Sequence, residues 1–278
     1  MRWDVATTGQ IAVNFKNAAR EASARLARNA VLKNIKKSPP QAFKAAWERL
    51  LSNPSYRLLI RISQDPAKEW TQLNGRTFEL LSLEIPDFYH STQIVVSANL
   101  KDAIDSKKSF LIVQIHQAPR FVSKVLADLD RESTRIVGNP KRYAQRLQKL
   151  GIDTSRTRLI KKGVSSLAHL LKSVRSNHVI CSVIDDGDGD GTGRRKYINP
   201  AIFVFAHRAR IPVFFAKAHV DHTGVCELIS SGPYNDLDPI TYATKFLNFF
   251  NSVGDSRVDM KIRTRHECFD WKEKTAQI

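Results

Sequence analysis

The sequence contains few cysteines and no uninterrupted apolar stretch long enough to cross a bilayer. Its three cysteines, Cys181, Cys226 and Cys268, are far apart and form no C-x-x-C pair, so neither a zinc ribbon nor a disulfide framework is expected. We expect reduced thiols, as in a cytosolic compartment. The opening residues, MRWDVATTGQIAVNF, lack the apolar core of a secretory signal. A spanning helix needs about 20 apolar residues, so any membrane contact is expected to be peripheral.

Several catalytic and binding motifs are also missing. The sequence has no G-x-S-x-G nucleophile elbow, no Walker A loop and no dinucleotide glycine fingerprint. Its basic residues are spread along the chain and are not interleaved with aromatic residues as in single-strand stacking platforms. These absences argue against a serine hydrolase of the elbow type and against nucleotide-binding loops, and they make nucleic acid a poor candidate partner.

Acidic residues are scarce relative to basic ones. Lys and Arg number 44 against 27 Asp and Glu, which gives a net charge of +17 on 278 residues. Such an excess favours acidic partners. Nucleic acid, an anionic membrane surface, an acidic carrier protein and phosphorylated small molecules would all fit, and charge alone does not choose among them.

Strand-like and helix-like segments alternate from about residue 92 to residue 218. This alternation predicts βαβ units and an α/β fold with a mostly parallel central sheet flanked by helices. We expect helices at 92–106, 120–130, 140–150, 164–175, 200–209 and 239–252, and strands at 110–115, 134–138, 157–161, 178–184, 211–218 and 225–230.

The N-terminal part has a different character. Residues 9–37 place apolar side chains near one face of a predicted helix and basic ones over the rest, which suits packing on the domain or docking on an anionic surface. We divide the chain into a basic helical region at 1–76 that caps the fold, an α/β domain at 77–255, and a basic polar tail at 256–278.

The segment KKSFLIVQIHQAPRF (107–121) is the centre of the predicted fold. Its apolar, β-branched run predicts a strand buried on both faces, which ends at His116. Ligands and catalytic groups of open α/β sheets gather at the carboxyl ends of strands. A histidine there is suited to act as a general base near neutral pH, although it could equally hydrogen-bond a neighbouring loop.

The loop DDGDGDGTGRR (185–195) follows another predicted central strand and has three interpretations. Its Asp186, Asp188, Asp190 and Gly191 match the opening of a calcium loop, but the twelfth position is Tyr197 and not the required Glu. The loop could also be glycine-rich and merely solvated.

The third interpretation is an active-site loop. Asp185 or Asp186 follows a strand end, as His116 does, and Arg194 and Arg195 could bind phosphate. The three interpretations remain open at this point.

A histidine pair, His219 and His222, with His207 upstream, has spacing that could bind zinc. No third ligand lies at a useful spacing, so a polar hairpin tip is the better interpretation. We expect no resident metal and no cofactor.

The order of segments resembles a known family. KKSFLIVQIHQAPR, KKGVSSLAHLLKSVRSNHVICSVIDD and YINPAIFVFAHRARIPVFF, at their spacing over roughly 90–250, resemble the lipid A biosynthesis lauroyl/myristoyl acyltransferases of the lysophospholipid acyltransferase-like superfamily. The resemblance implies a bacterial acyltransferase of lipid biosynthesis. It also implies a histidine in an H-x4-D/E motif that deprotonates an acceptor hydroxyl, which then attacks an acyl thioester, while the acid orients the histidine.

His116 matches the family's histidine, and Asp185 or Asp186 matches its later aspartate loop. Phe121 stands where the motif has its acid. A phenyl ring cannot orient an imidazole, and loss of the orienting carboxylate costs orders of magnitude in comparable sites. Either Asp185 or Asp186 replaces it, or the protein is a weak or inactive relative. The family's N-terminal anchor is also lacking, which implies a cytoplasmic or peripheral inner-membrane protein.

The expected function is therefore transfer of an acyl group from acyl carrier protein or acyl-CoA to a hydroxyl or amine. His116 would be the base, with Asp185 and Asp186 beside it, and Arg120, Arg194 and Arg195 would bind substrate phosphates. Two alternatives remain open: a catalytically degenerate relative that binds lipid or a partner protein, and an electrostatic nucleic-acid binder.

Overall fold

The computed structural model describes residues 92–115, 120–163, 165–186, 196–198, 200–220, 225–252 and 260–262, together with residues 22, 25, 26, 29, 54, 78 and 89. For residues 185, 186, 196, 197, 251, 252 and 260–262 it describes the backbone alone. Most of the predicted N-terminal helical region, including all of 9–37 except residues 22, 25, 26 and 29, lies outside the described residues. Within the described part, no helix is long and apolar enough to cross a membrane.

The described chain alternates strands and helices. The strands are β1 (Ile94–Val96), β2 (Phe110–Gln114), β3 (Ser133–Val137), β4 (Thr157–Lys161), β5 (Val179–Val183), β6 (Asp185–Asp186), β7 (Lys196–Ile198), β8 (Val213–Val220), β9 (Cys226–Tyr234) and β10 (Met260–Ile262). The helices are α1 (Ala98–Asp105), α2 (Phe121–Asp128), α3 (Pro140–Lys149), α4 (Ser166–Arg175), α5 (Ala201–Ala209) and α6 (Pro239–Ser252).

Among the described residues, seven strands form the main sheet in the order β1-β9-β8-β2-β5-β3-β4. Five of them, β8, β2, β5, β3 and β4, run parallel, so their carboxyl ends share one edge of the sheet. β9 pairs antiparallel with β8, and β1 pairs parallel with β9. The predicted α/β fold with a mostly parallel sheet is confirmed.

Helices cover both faces of this sheet. The first face carries Phe110, Ile112 and Cys181 and packs against buried side chains of α1, α2 and α3. The second face carries Leu111 and Val113 and packs against α4, α5 and α6. Burial on both faces explains why β2 and β5 are almost continuously apolar.

Local sequence signals set the ends of α3. The side-chain oxygen of Asn139 accepts a hydrogen bond from the amide of Arg142 at 3.0 Å, and Pro140 occupies the first helical position. Gly151 follows the helix with φ of 68°, a conformation that glycine adopts without a Cβ penalty. Its amide donates to the carbonyl of Gln148 at 2.9 Å.

The helix predicted at 92–106 is wrong in its first part. Ile94, Val95 and Val96 form β1, and helix α1 begins only at Ala98. Three consecutive β-branched residues favour extended backbone. The Ser97 hydroxyl then donates to the Leu228 carbonyl at 3.2 Å and fixes the chain against β9.

A second, three-stranded sheet has the order β10-β7-β6. β6 and β7 pair antiparallel, so the predicted loop at 185–195 starts with a short strand in its first two residues. β10, which lies within the segment assigned as a polar tail, pairs parallel with β7.

Candidate active site

The carboxyl edge of the parallel strands positions the predicted base. β2 ends at Gln114, Ile115 is buried, and α2 begins at Phe121. His116 itself lies in 116–119, outside the described residues. The described neighbours on either side nevertheless fix the ends of this connection at the carboxyl edge, where open α/β sheets bind ligands.

β5 ends beside β2. Gln114 is in register with Val183, and the amide of Ile184 donates to the Gln114 carbonyl at 3.1 Å. The backbone then enters β6 with Asp185 and Asp186. Position 116 and position 185 each come two residues after this registered pair. Arg194 and Arg195 lie outside the described residues.

Arg120 is the predicted site residue whose side chain is described. It is the N-cap residue of α2, and its carbonyl accepts the amides of Ser123 at 2.9 Å and Lys124 at 3.1 Å. The side chain is half-buried, and its Nε is buried without a hydrogen-bond partner among the described residues. Its guanidinium lies over the ring of Tyr143, 5.8 Å from the centroid.

A second arginine, Arg135, shares that tyrosine and was missed by the sequence reasoning. It lies in β3 in register with Cys181, is 3% exposed, and its Cζ is 5.9 Å from the Tyr143 centroid. Its Nε and Nη2 are buried without a hydrogen-bond partner among the described residues. An arginine inside a strand covered on both faces is the signal that could have revealed it, because arginine is rarely fully buried unless it is paired.

Neutral polar groups surround the two guanidiniums. The Tyr143 hydroxyl is 3.3 Å from the Ser123 hydroxyl, and the Tyr89 hydroxyl is buried without a hydrogen-bond partner of good geometry among the described residues. Burial raises the pKa of Tyr89 well above its usual value, with a smaller rise from Cys226 and an opposing effect of Arg120. Burial likewise raises the pKa of the Cys181 thiol, against the influence of Arg135.

Arg135 therefore stays charged among groups that are neutral at pH 7. Burial alone would lower the pKa of Arg135, but Tyr143 and Cys181 outweigh burial and raise it above the ordinary arginine value. Guanidinium is not deprotonated in proteins in any case. The result is a pair of cations beside one aromatic ring, with Arg135 level with the middle of β5 and Arg120 at the start of α2.

Phe121 belongs to the core and not to this polar cluster. It is 1% exposed and packs against Phe78 and Tyr89, whose ring centroids lie 5.3 and 6.5 Å away. The position at which the resembling family has its acid is therefore an aromatic packing position in this chain.

The other candidate sites are only partly described. The His207 ring Nδ1 is 3.0 Å from the Leu237 carbonyl, and His219 faces Glu227 across the β8–β9 pair. His222 and most of the Asp/Gly loop, including Asp188 and Asp190, lie outside the described residues. Among the side chains that are described, no three His, Cys, Asp or Glu groups come together as metal ligands.

The structure describes two of the three cysteines. Cys181 and Cys226 are free and buried, whereas Cys268 lies outside the described part. No protein-family model matches this chain, and no curated protein sequence matches it.

Proposed function

We propose that this protein is an acyltransferase that moves an acyl group from a thioester to a hydroxyl or amine acceptor. One observation carries the proposal: β2 and β5 end side by side at the carboxyl edge, with positions 116 and 185 equally far beyond their registered pair. This register supports a histidine and a carboxylate at neighbouring strand ends. A base oriented by a carboxylate is the arrangement that activates a hydroxyl nucleophile.

The reaction would proceed by attack on the thioester carbonyl. His116 would accept the acceptor's proton as its oxygen or nitrogen bonds to the carbonyl carbon. The carbon–sulfur bond would then break, and the departing thiolate would recover the proton from His116. No redox step or added oxidant is needed, and the co-substrate would be acyl-CoA or acyl carrier protein.

Asp185 or Asp186 would orient the imidazole. The packing of Phe121 supports this assignment, because a buried aromatic position next to Phe78 leaves no place for an acid at that point of the chain. A carboxylate contributed by the end of β5 would perform the same task as the acid of an H-x4-D/E motif.

The charge distribution supports an acidic donor or surface. Residues 138–175 contain ten Lys and Arg and one acid, Asp153. Lys141 and Arg142, at the start of α3, are exposed at the carboxyl edge. An acidic carrier protein or the phosphates of CoA would be attracted there, with Arg194 and Arg195 as further phosphate ligands. A peripheral position on an anionic inner-membrane surface would use the same charge, whereas the dispersed basic residues argue against nucleic acid.

The experiment is acyl transfer from labelled acyl-CoA and acyl carrier protein to a panel of hydroxyl and amine acceptors. His116→Ala is expected to lower the rate by about 10²- to 10⁴-fold, the usual contribution of a general base. His207→Ala, a substitution in the last turn of α5, is the matched control and should leave the rate unchanged. Equal transfer by the wild type and His116→Ala would remove His116 from the mechanism.

The second candidate is a catalytically degenerate relative that binds an acyl chain, a lipid or a partner protein. Phe121 favours it, because the motif's own carboxylate has been replaced by a core residue. In that case the protein would bind fluorescent acyl chains without turnover of any acyl thioester. Steady turnover that depends on His116 would eliminate this candidate.

A further inference from the structure

Arg135 differs from the other buried cations of the fold whose partners are described. Lys124 is paired with Asp128 at 2.7 Å, and the Nη2 of Arg131 donates to the Lys108 carbonyl at 2.6 Å. Arg135 is as deeply buried as either, and both its Nε and its Nη2 lack a hydrogen-bond partner in the described part of the chain, whereas Arg131 leaves only its Nε without one. A buried cation is costly unless it is paired.

Arg120 supplies a second cation at the same place. Both guanidiniums lie within 6 Å of the Tyr143 ring centroid. Arg120 also begins α2, whose amide groups carry partial positive charge at that end, and it makes no side-chain cap hydrogen bond there. Two like charges held beside one ring repel each other. An anion between the two guanidiniums would attract both and offset that repulsion.

Part of the surroundings of this cluster is exposed at the protein surface. Arg120, Tyr143 and Val137 are partly exposed, and Val137 follows Arg135 by two residues on the same face of β3. Arg135 therefore lies one side chain below the surface. The adjoining connection, 116–119, carries the proposed base.

We propose that Arg135 and Arg120, with Tyr143 beside them, bind the phosphate group of the acyl donor's phosphopantetheine arm. This assignment rests on the proposed acyl-transfer function, because 4′-phosphopantetheine is the part that acyl-CoA and acyl carrier protein share. The planar arginine fork presents parallel N–H donors that match two phosphate oxygens. The tyrosine ring supplies an apolar wall for the attached chain.

The measurement is calorimetric binding of 4′-phosphopantetheine and of dephosphorylated pantetheine to the full chain. The wild type is expected to bind the phosphorylated compound more tightly, and Arg135→Met is expected to weaken that binding by about 10- to 100-fold. Arg120→Gln, at a half-buried helix end, should weaken it in the same direction and tests the site even if Arg135→Met fails to fold.

Arg131→Met is the matched control, because Arg131 is a buried arginine of the same chain segment with a backbone partner. It should lower the melting temperature and leave the phosphopantetheine affinity unchanged. Arg135→Met should have an equal or higher melting temperature without ligand, since an apolar side chain then replaces a buried cation whose Nε and Nη2 lack partners in the described part of the chain. Unchanged affinity of both Arg135→Met and Arg120→Gln, or equal wild-type affinity for both pantetheine compounds, would overturn the proposal.

The outcomes separate this site from the proposed activity. Acyl transfer without any preference for the phosphorylated compound would overturn the phosphate site and leave the transferase standing. Phosphate-dependent binding without acyl transfer would support the phosphate site and overturn the transferase function. Glycerol 3-phosphate is a third titrant that distinguishes donor from acceptor: if it binds through Arg135 and 4′-phosphopantetheine does not, the donor assignment is overturned.

Discussion

Phe121 meets Phe78 edge to face, with ring centroids 5.3 Å apart and planes at 90°. This contact joins the first residue of α2 to a residue far upstream in the chain. Phe121 is 1% exposed, so the contact belongs to the core on the first face of the sheet. Restoring an acid at this position would therefore not restore an active-site dyad.

Truncation of a buried phenylalanine costs about 3–5 kcal/mol of unfolding free energy. Phe121→Glu is expected to destabilise the protein by at least this amount. The added carboxylate would be buried without a partner and would increase the loss. Urea denaturation gives the free energy of unfolding, and the acyl-transfer assay should show no gain in rate.

Phe121→Leu is the control for packing without charge, and it should cost less than Phe121→Glu. A stable Phe121→Glu protein with a higher transfer rate would contradict this account. It would mean that position 121 can serve the active site after all.

A second prediction concerns a buried hydrogen-bond chain on the other face. The Thr134 hydroxyl donates to the Ser173 hydroxyl at 2.8 Å, which donates to the His169 carbonyl at 3.0 Å. His178 Nδ1 lies 3.1 Å from Thr134 Oγ1 and must then be the donor. Thr134→Val removes the middle of this chain and should cost about 1–3 kcal/mol of unfolding free energy, measured in urea.

Thr134→Ser keeps the hydroxyl and loses one methyl group, so it should retain most of the stability that Thr134→Val loses. If the valine variant proved as stable as the wild type, the hydrogen-bond chain would contribute nothing measurable. The two substitutions separate hydrogen bonding from volume at one position.

Residues that are neighbours in the sequence were sufficient to predict the strands and helices whose bounds depend on local contacts. β4 occupies the predicted 157–161, and α3 starts at Pro140, the first residue of the predicted helix. Pairing partners far apart in the chain decided the rest. The strand at Ile94–Val96 depends on β9, more than 100 residues later, and no periodicity within 92–106 reveals that partner.

The sequence predicted where the candidate site lies in the fold, but it did not predict all of the residues that form it. The carboxyl edge follows from the alternation of strands and helices, and Arg120 follows from its place after the proposed base. Arg135 and Tyr143 come together because α3 packs over β3, and this packing is not evident from the sequence of either element.

A third prediction concerns acid stability. The Thr241 hydroxyl and then the Thr241 amide hold the pKa of Asp238 below its usual value, and the Ile240 amide adds a contact at 3.0 Å. A carboxyl whose pKa is lower when folded stabilises the protein above its unfolded pKa of about 3.9, and this contribution is lost as the pH falls through the folded value. Asp238→Asn should therefore show a smaller fall in melting temperature between pH 5 and pH 3.

Thr241→Val tests the cause, because it removes the hydroxyl donor and keeps the amide. Its acid-induced fall should lie between those of the wild type and Asp238→Asn. An unchanged acid profile in Asp238→Asn would show that other carboxyl groups control acid unfolding.

The fourth prediction concerns the partner. α3 runs from the carboxyl edge to the opposite edge, so Lys141 and Arg142 lie at the carboxyl edge while Lys149 lies at the other end of the helix. If an acidic carrier protein docks at the carboxyl edge, Lys141→Glu with Arg142→Glu should lower kcat/KM for the carrier-protein donor by about tenfold or more at low salt.

Lys149→Glu with Arg175→Glu makes the same change of charge at the opposite edge and is the matched control, since Arg175 ends α4 there. Both double variants alter the net charge equally, so a loss confined to the first pair would assign the effect to position and not to net charge. Salt should reduce the difference between them, because it screens interactions beyond about 10 Å at 0.1 M. Equal losses in both variants would instead indicate attraction by the whole basic protein, with no docking at the carboxyl edge.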